Sequence, residues 1–386
     1  MDRLALRKLP VLLLFILLGC ASTAPDPAAI ASTTEAAHLI AGQPTDYDAL
    51  LASIGDSTLV FLGESTHGTR EFYNERARIT RRLIAEKQFS AVVLEGDWAD
   101  VTRVDAYIRG VSDDRTAYES LGSFERFPRW MWRNEEFSRF IEELRKHNDS
   151  LPPDAPKVRI YGMDLFGEEK SARFLADSPP DESEEGRFAV EQNRRVVNNA
   201  AEYNRELVRR QKSTWNIRDR HMVEILAAIR RHLQSSGAGR IVVWAHNTHV
   251  GDARATARGD IGEWSVGQLA RHYWPEETYL VGFITDRGTV LAADAWGAEA
   301  RVRSLRPSMR GSNGAVLHAF GLPAFYLLRE ESGMSRFGSP RPQRAVGVVY
   351  LPWREFEAHY IASTLAAQFD AVVHLDETTA LTPLDD

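Results

Sequence analysis

Short, almost continuously apolar runs alternate along the chain with longer segments in which apolar residues recur every three or four positions. Runs that are apolar throughout are typical of strands buried on both faces, and the three-to-four spacing is typical of helices. The alternation predicts an α/β fold in which helices flank a mostly parallel central sheet. The predicted strands cover residues 58–62, 91–94, 158–161, 241–244, 279–284, 345–350 and 371–374.

Helical periodicity marks several segments between the predicted strands. The longest, about residues 182–235, predicts two long helices that form a helical lobe on the sheet. Arg76 falls on the apolar stripe of another, residues 70–87. A buried guanidinium needs a partner because its charge cannot be removed, and Glu64 and Glu95 are the nearest predicted carboxylates. The alternative is that Arg76 extends to solvent along its apolar stem.

Polar side chains follow the first four predicted strands directly. Glu64 comes after the first, Glu95 after the second, Asp164 after the third and His246 after the fourth. In open α/β sheets, ligands bind in the crevice beyond the carboxyl ends of the strands. We therefore expect these four groups to converge on one edge of the sheet. The alternative is that polar residues simply terminate each strand.

The length and net charge of the chain limit the size of its domains and the kinds of partner that it can bind. The chain has 386 residues, 44% of them hydrophobic, which is enough to bury the core of one large domain or two ordinary ones. The formal charge is −7 and no basic patch is present. This balance argues against nucleic acid as a partner.

The N-terminal residues have the pattern of an export signal. Basic residues precede an apolar run at 10–18, which is shorter than the roughly 20 residues that a membrane span requires. Leu17-Leu18-Gly19-Cys20 resembles a bacterial lipobox, and Cys20 is the only cysteine. We expect a lipoprotein signal peptide at 1–19, a lipid on Cys20 and a flexible tether at 20–36. The protein would then be lipid-anchored in the bacterial cell envelope, at the outer membrane or on the periplasmic face. The alternative is a buried cysteine beside an ordinary signal peptide.

Glu64 and His67 lie three residues apart, between Gly63 and Gly68, where a strand turns into a helix. The glycines allow a tight turn. An imidazole titrates near neutral pH and can take a proton from water when a carboxylate holds its tautomer. The pattern therefore favours a general base at His67, against the alternative of a polar turn with a half-exposed histidine.

A second histidine cluster follows the fourth strand, at His246 and His249. Two imidazoles three residues apart can share a face of a helical turn and bind a metal, and with Glu64, His67 and Glu95 they would make a hydrolytic metal centre. No His-Glu-x-x-His motif and no cysteine ligand are present, so we prefer histidines that position water or stabilise an oxyanion. Neither a metal nor a cofactor is predicted.

Trp132 lies in an aromatic and basic cluster, residues 127–133, ahead of a predicted helix at 134–146. It either lines a broad apolar cleft for a bulky substrate or fills the core. A serine hydrolase is disfavoured because no Gly-x-Ser-x-Gly motif is present, and for the same reason Ser65 is a poor nucleophile candidate.

Successive blocks of the sequence resemble the erythromycin esterase family, in order, from about Asp46 to Pro383. The resemblance implies an α/β hydrolase domain over residues 37–386, helical additions included. It also implies hydrolysis of an ester or lactone, including the macrolide type, by histidine-activated water without an essential metal. The blocks are GESTHGTREFYNERARITRRLI, VVLEGDWADVTRVDAYIRG, RFPRWMWRNEEF, IYGMDL, WNIRDRHM, VVWAHNTHVGDARAT, VGQL and FDAVVHLDET.

The resemblance also implies roles for individual residues. His67 matches the proposed base of the family, and Glu64, Arg76, Glu95 and His246 match its other site positions. The residues expected to bind substrate, by the resemblance or as part of a cleft wall, are His249, Asp252, Arg254, Trp132 and His359.

Two other functions stay open from the sequence. One is a metal-dependent hydrolase on the same residues, and the other is a lipoprotein that binds a ligand or haem through His246, His249 or His67. The family members best known for drug inactivation are cytosolic, whereas this chain predicts export. The expected partner is therefore a small-molecule ester or lactone whose identity the resemblance does not supply.

Overall fold

Strands and helices alternate along the chain, and most of their bounds follow the apolar patterns. The computed structural model describes residues 36–179, 181–210, 213–235, 237 and 239–384. The strands are β1 (His38–Leu39), β2 (Leu59–Leu62), β3 (Ala91–Asp97), β4 (Arg159–Asp164), β5 (Ile241–Trp244), β6 (Thr278–Ala292), β7 (Arg301–Leu305), β8 (Ala324–Leu328), β9 (Arg341–Arg344), β10 (Tyr360–Ser363) and β11 (Ala371–Thr378). The helices are α1 (Asp48–Ile54), α2 (Arg70–Lys87), α3 (Trp98–Arg109), α4 (Ala117–Ser120), α5 (Glu135–Ser150), α6 (Glu168–Asp177), α7 (Glu184–Arg209), α8 (Thr214–Gln234), α9 (Asn247–Val250), α10 (Ala257–Asp260), α11 (Val266–Tyr273), α12 (Asn313–His318), α13 (Ser332–Ser335), α14 (Glu355–Ala358) and α15 (Leu365–Gln368).

The central sheet has the strand order β1-β8-β11-β6-β2-β5-β3-β4, and β7 also pairs with β6. The strands from β11 to β4 in this order run parallel to one another. Antiparallel pairs join β8 to β11, β1 to β8 and β7 to β6. The predicted α/β fold with a mostly parallel central sheet is therefore confirmed.

Helices cover both faces of the sheet, which is why its strands read as continuous apolar runs. Along β2, Val60 and Leu62 belong to the hydrophobic core on one face, together with residues of α2, α3 and α5. Leu59 and Phe61 belong to the core on the other face, together with residues of α8 and α11. Side chains that alternate along one strand thus contribute to the hydrophobic cores on both faces of the sheet.

The two long helices predicted at 182–235 are α7 and α8. Helix α7 packs on α6 and α8, and α8 packs in turn on β4 and α11. Helix α8 therefore connects the helical segment to the sheet. The assignment of residues 37–386 to one hydrolase domain that includes a helical lobe at about 182–235 stays a prediction.

Residues 345–350 do not form the strand that was predicted there. The backbone N–H of Val346 donates to Ser65 O (2.8 Å), and that of Tyr350 donates to Ala293 O (2.9 Å). Because the segment bonds to two separate parts of the chain, it makes only isolated bridges and no continuous ladder. Its buried residues Val346 and Tyr350 pack in a small cluster with Val290 and Ala292 of β6 and Leu305 of β7.

The predicted signal peptide (1–19), Cys20 and all but the last residue of the predicted tether (20–36) lie outside the described residues. Among the helices that the structure describes, none combines the length and the apolar character that crossing a membrane requires.

Candidate active site

The turn after β2 is built around two glycines that lie against neighbouring atoms. A Cβ on Gly63 would lie 2.0 Å from Asn247 Oδ1, and one on Gly68 would lie 1.9 Å from the Leu291 carbonyl oxygen. No side chain fits within such distances, so only glycine allows these segments to approach so closely. The turn is thereby pressed against the end of β5 and against β6.

Glu64 bridges two cationic or basic groups at this turn. Its Oε1 accepts a hydrogen bond from His67 Nδ1 at 2.8 Å, and its Oε2 accepts one from Arg76 Nη2 at 2.8 Å. Since Nδ1 of His67 carries the donated hydrogen, its Nε2 is left with a lone pair. Nε2 has no hydrogen-bond partner among the residues described, and His67 lines a cavity. This is the geometry of a general base.

Arg76 is fully buried, as the apolar stripe of α2 predicts. It is 0% exposed, and two of its guanidinium nitrogens, Nε and Nη1, have no hydrogen-bond partner in the described part of the chain. The guanidinium carbon lies 4.5 Å from the ring centroid of Tyr73 and 4.7 Å from that of Trp244. Cation–π contacts and Glu64 thus hold the charge, and the alternative of a solvent-directed Arg76 is wrong.

His246 lies beside His67, with 4.8 Å between the ring centroids. Its Nδ1 accepts the Thr248 backbone N–H at 3.2 Å, so the hydrogen of the neutral ring is on Nε2. Nε2 is buried without a hydrogen-bond partner among the described residues. Burial and the neighbouring His67 lower the pKa of His246 well below its usual range. The ring of His246 is therefore neutral, with its hydrogen on Nε2.

Glu95 connects the cluster to α8. Strand β3 continues past the predicted end at residue 94, with a register shift between Leu94 and Asp97 that places Glu95 in an irregular segment. Its Oε2 accepts the His246 backbone N–H (2.8 Å), and its Oε1 accepts from Arg218 Nη2 (2.7 Å). Burial opposes its ionisation, but His249 and Arg218 outweigh burial and hold the pKa of Glu95 well below its usual range.

Arg218 also pairs with Asp164 through two hydrogen bonds, from Nε at 3.0 Å and from Nη2 at 2.6 Å. Although Asp164 is buried, the guanidinium lowers the pKa of its carboxyl. The four groups at the ends of the first four strands therefore share one edge of the sheet, as expected, and Arg218 bridges two of them, Glu95 and Asp164.

His249 lies between an aromatic ring and two carboxylates. Trp215 stacks on it, with 4.3 Å between centroids and 5° between ring planes. Its Nδ1 donates to Asp219 Oδ1 at 2.8 Å. Burial alone would favour the neutral ring, but Asp219 and Glu95 raise the pKa of His249 to about 9. The imidazole is therefore protonated across neutral pH.

The Nε2 atom of His249 has two neighbours that require opposite proton positions. It lies 3.1 Å from Arg218 Nη1 and 3.3 Å from Glu95 Oε1. Because the ring is an imidazolium at neutral pH, Nε2 carries a hydrogen directed at Glu95. The contact with Arg218 is then one between two donors, and the carboxylates of Glu95 and Asp164 offset their charges.

These groups line a cavity of about 830 Å³. His67, Glu95, His246 and His249 all lie on its wall, together with Trp132. Trp132 is 5% exposed and packs against Phe137 with 5.0 Å between ring centroids, so it belongs to the core as well as to the cavity. The remaining aromatic side chains on the wall are Phe124, Phe166, Tyr203, Trp215 and Trp296.

Three residues expected to bind substrate do not line this cavity. Asp252 accepts hydrogen bonds from Arg254 (2.9 Å) and from Arg271 (3.3 Å), and Arg254 is otherwise exposed. His359 accepts the Leu351 backbone N–H at 3.0 Å. All three make local structural contacts, so the structure does not support a binding role for them.

The site residues contributed by α8 were not predicted from the sequence. Trp215, Arg218 and Asp219 are spaced at i, i+3 and i+4, which puts them on one face of a helix. This polar and aromatic face at the start of a predicted helix was the available signal. Asn247 was missed as well: its Nδ2 donates to Phe283 O (2.8 Å), which ties α9 to β6.

The profile of the erythromycin esterase family matches residues 84–178 and 168–378. The chain belongs to the erythromycin esterase family. The resemblance seen in the sequence blocks is thus confirmed, and family membership indicates a hydrolase that acts on a small molecule.

Three solved structures share the fold. A protein from Bacillus cereus is 17% identical with a TM-score of 0.69, covering 93% of this chain and 99% of its own. A succinoglycan biosynthesis protein is 17% identical with a TM-score of 0.68, covering 92% and 98%. A histidine-to-asparagine mutant of the erythromycin esterase EreC, in its open conformation, is 13% identical with a TM-score of 0.56, covering 88% and 95%. At these identities the likeness concerns the fold.

Proposed function

We propose that this erythromycin esterase family member hydrolyses an ester or lactone with water that His67 activates. The observation that carries the proposal is the Glu64-bridged pair of His67 and Arg76. It holds His67 Nδ1 as a donor and leaves the Nε2 lone pair at the wall of a cavity. Glu64 also lies where it stabilises the imidazolium that forms when Nε2 takes a proton.

In the proposed reaction, water attacks the carbonyl carbon while His67 Nε2 removes one of its protons. A carbon–oxygen bond forms and the carbonyl oxygen becomes an oxyanion. The neutral Nε2–H of His246, whose ring lies 4.8 Å from that of His67 and which has no hydrogen-bond partner among the described residues, stabilises that charge. When the intermediate collapses, the bond to the leaving oxygen breaks and the His67 imidazolium returns its proton to that oxygen. The products are a carboxylic acid and an alcohol.

The cavity supports a bulky substrate with apolar parts. Its volume of about 830 Å³ lies within the range of small-molecule sites, about 300–1,000 Å³. Aromatic side chains from several elements lie on its wall among charged ones, and none of the aromatic residues belongs to the Glu64, His67 and His246 group. We propose a cyclic or long-chain ester as the substrate, without assigning a macrolide.

The test is a hydrolysis screen over acyl esters, lactones and macrolides with and without a chelator. We expect His67→Ala to lower kcat/KM by about 10²- to 10⁴-fold, the usual contribution of general-base catalysis. His272→Ala serves as the control because His272 is exposed and outside the cavity. Retained turnover in folded His67→Ala would contradict the proposal. Activity that a chelator abolishes and one divalent ion restores would favour the metal-dependent alternative.

We also propose that a lipid on Cys20 anchors the protein in the cell envelope. Support comes from the sequence alone: a short apolar run ends in Leu17-Leu18-Gly19-Cys20, and no other cysteine is present. The tether predicted at residues 20–36 would then hold the hydrolase near the membrane surface.

A further inference from the structure

Three side chains of metal-ligating types meet at a place that is not part of the cavity. Asp286 lies on β6, Asp376 lies on β11 and His318 is the last residue of α12. One ligand atom from each lies within 4.8 Å of the other two. The cluster therefore joins a helix to two strands of the sheet.

The sheet brings the two carboxylates together. In the parallel pairing of β11 with β6, Leu375 is opposite Thr285 and Glu377 is opposite Arg287, so Asp376 is beside Asp286 on the same face. Like charges directly opposite each other destabilise a sheet. The Asp286 side chain is only 2% exposed, so water screens this pair weakly. A positive charge between the two carboxylates would offset their repulsion.

The groups that lie there now supply that charge incompletely. His318 Nδ1 donates to Asp376 Oδ1 at 2.6 Å and lies 3.8 Å from Asp286 Oδ2. Arg287 donates to Asp286 Oδ2 from Nε at 2.8 Å and to His318 Nε2 from Nη2 at 2.9 Å. Because Nε2 of His318 accepts, the ring is neutral. Only one N–H of a neutral imidazole therefore lies between the carboxylates.

A buried histidine, His374, lies next to the Asp376 carboxylate. His374 is 0% exposed, and its Nε2 lies 3.2 Å from Asp376 Oδ1. Its Nδ1 is buried and makes no hydrogen bond to any described residue. The Asp376 carboxylate is thus the single polar partner of this fully buried ring among the described residues. Hydrogen bonds from the protein to a ligating carboxylate of this kind are what orient metal ligands.

We propose that Asp286, His318 and Asp376 bind a divalent cation of the Zn²⁺ or Mn²⁺ type. One imidazole nitrogen and two carboxylates form a donor set that such ions accept, with positions left for water. The ion takes the place of the hydrogen on His318 Nδ1, which moves to Nε2. Arg287 must then leave Nε2, and its side chain, 40% exposed, can turn to solvent. The ion holds α12 against β6 and β11.

The first test is calorimetric titration of Zn²⁺ into the full chain after treatment with a chelator. The wild-type protein is expected to bind one ion at this cluster. His318→Gln and Asp376→Asn should each bind more than about 100-fold more weakly, because losing even an outer-sphere partner costs about 10- to 100-fold. Glu377→Gln is the matched control: it removes the same charge one residue along β11, where the side chain is exposed. It should bind like the wild type.

Arg287→Gln provides a test in the opposite direction. Removing the donor that competes for His318 Nε2 should tighten Zn²⁺ binding by about 10-fold, the effect of an outer-sphere group. Zn²⁺ should also raise the melting temperature of the wild type and not that of His318→Gln. His318 is 41% exposed, so this variant is expected to fold.

Three outcomes would overturn the proposal. They are no Zn²⁺ binding by the wild type, unchanged binding in both His318→Gln and Asp376→Asn, and equal loss of binding in Glu377→Gln. Unchanged binding in the first two variants would place the ion elsewhere, for example at the cavity histidines. The readouts are affinity and melting temperature, so they do not depend on hydrolysis.

Discussion

Replacing Arg76 by methionine should destabilise the fold strongly, because it leaves Glu64 charged and buried. Arg76 and Glu64 are 0% and 1% exposed and lie 2.8 Å apart, so water does not screen the pair. Removing one partner of a buried pair costs about 3–5 kcal/mol, whereas an exposed pair contributes about 0–1 kcal/mol. The cation–π contacts with Tyr73 and Trp244 are lost as well. We expect a loss of about 3–5 kcal/mol of unfolding free energy.

The assay is urea unfolding of four proteins: wild type, Arg76→Met, Glu64→Gln and the double variant. Tryptophan fluorescence and circular dichroism are followed together, since a free energy is defined only if both probes give one transition. The double variant should lose about 1–3 kcal/mol less than the sum of the single losses, because the neutral pair leaves no buried charge. Arg81→Met is the control on the same helix: Arg81 and its partner Glu143 are 45% and 40% exposed, and the expected loss is about 1 kcal/mol or less.

A loss below about 1 kcal/mol in Arg76→Met would refute the reasoning, because that is the size of an exposed pair. Additive losses in the double variant would refute it equally, since they would show that Glu64 and Arg76 act independently.

Three further predictions concern pH, packing and the N-terminus. The pKa of His249 rises from 6.5 to about 9 on folding, which contributes about 3 kcal/mol by linkage. This stabilisation is complete below about pH 6.5 and is lost as the pH rises through about 9. The unfolding free energy of the wild type, measured from pH 6 to 10, should therefore fall. That of His249→Gln should lack this decline. Gly68→Ala should cost at least about 2 kcal/mol, since its Cβ would lie 1.9 Å from Leu291 O. Gly347→Ala should change the unfolding free energy by no more than about 0.5 kcal/mol, because the nearest atom, His67 Cδ2, is 4.0 Å away; similar losses in both variants would contradict the packing argument. Cys20→Ser should abolish incorporation of labelled palmitate in cells while Ala21→Ser keeps it, and labelling of Cys20→Ser would disprove lipidation at that cysteine.

Much of the fold and part of the site could be read from local patterns. Residues 70–87 were predicted as a helix and form α2, and the strand at 241–244 is β5. Continuous apolar runs predict strands because a strand buried on both faces has no polar side. Local patterns failed at residues 345–350, whose composition suits a strand, because strand formation there depends on a partner that runs alongside. They also missed β8 (Ala324–Leu328).

The contact between Glu64 and His67 could likewise be predicted from the local sequence. They lie three positions apart within one turn, so the backbone alone brings them within reach. Arg76 follows on the next helix, one element away. A short stretch of chain therefore already contains a base, the carboxylate that orients it and the cation that balances the charge.

Only the tertiary structure decided the other half of the site. Glu95 and Arg218 are 123 residues apart in sequence, and they meet because α8 packs against the sheet beside β4. His249 was expected to bind substrate, yet Asp219 and Glu95 make it a buried imidazolium. Local sequence sets which face a side chain occupies, because that depends on backbone geometry. The charge that a buried group carries depends on which distant residues surround it, because burial and neighbouring charges together set its pKa.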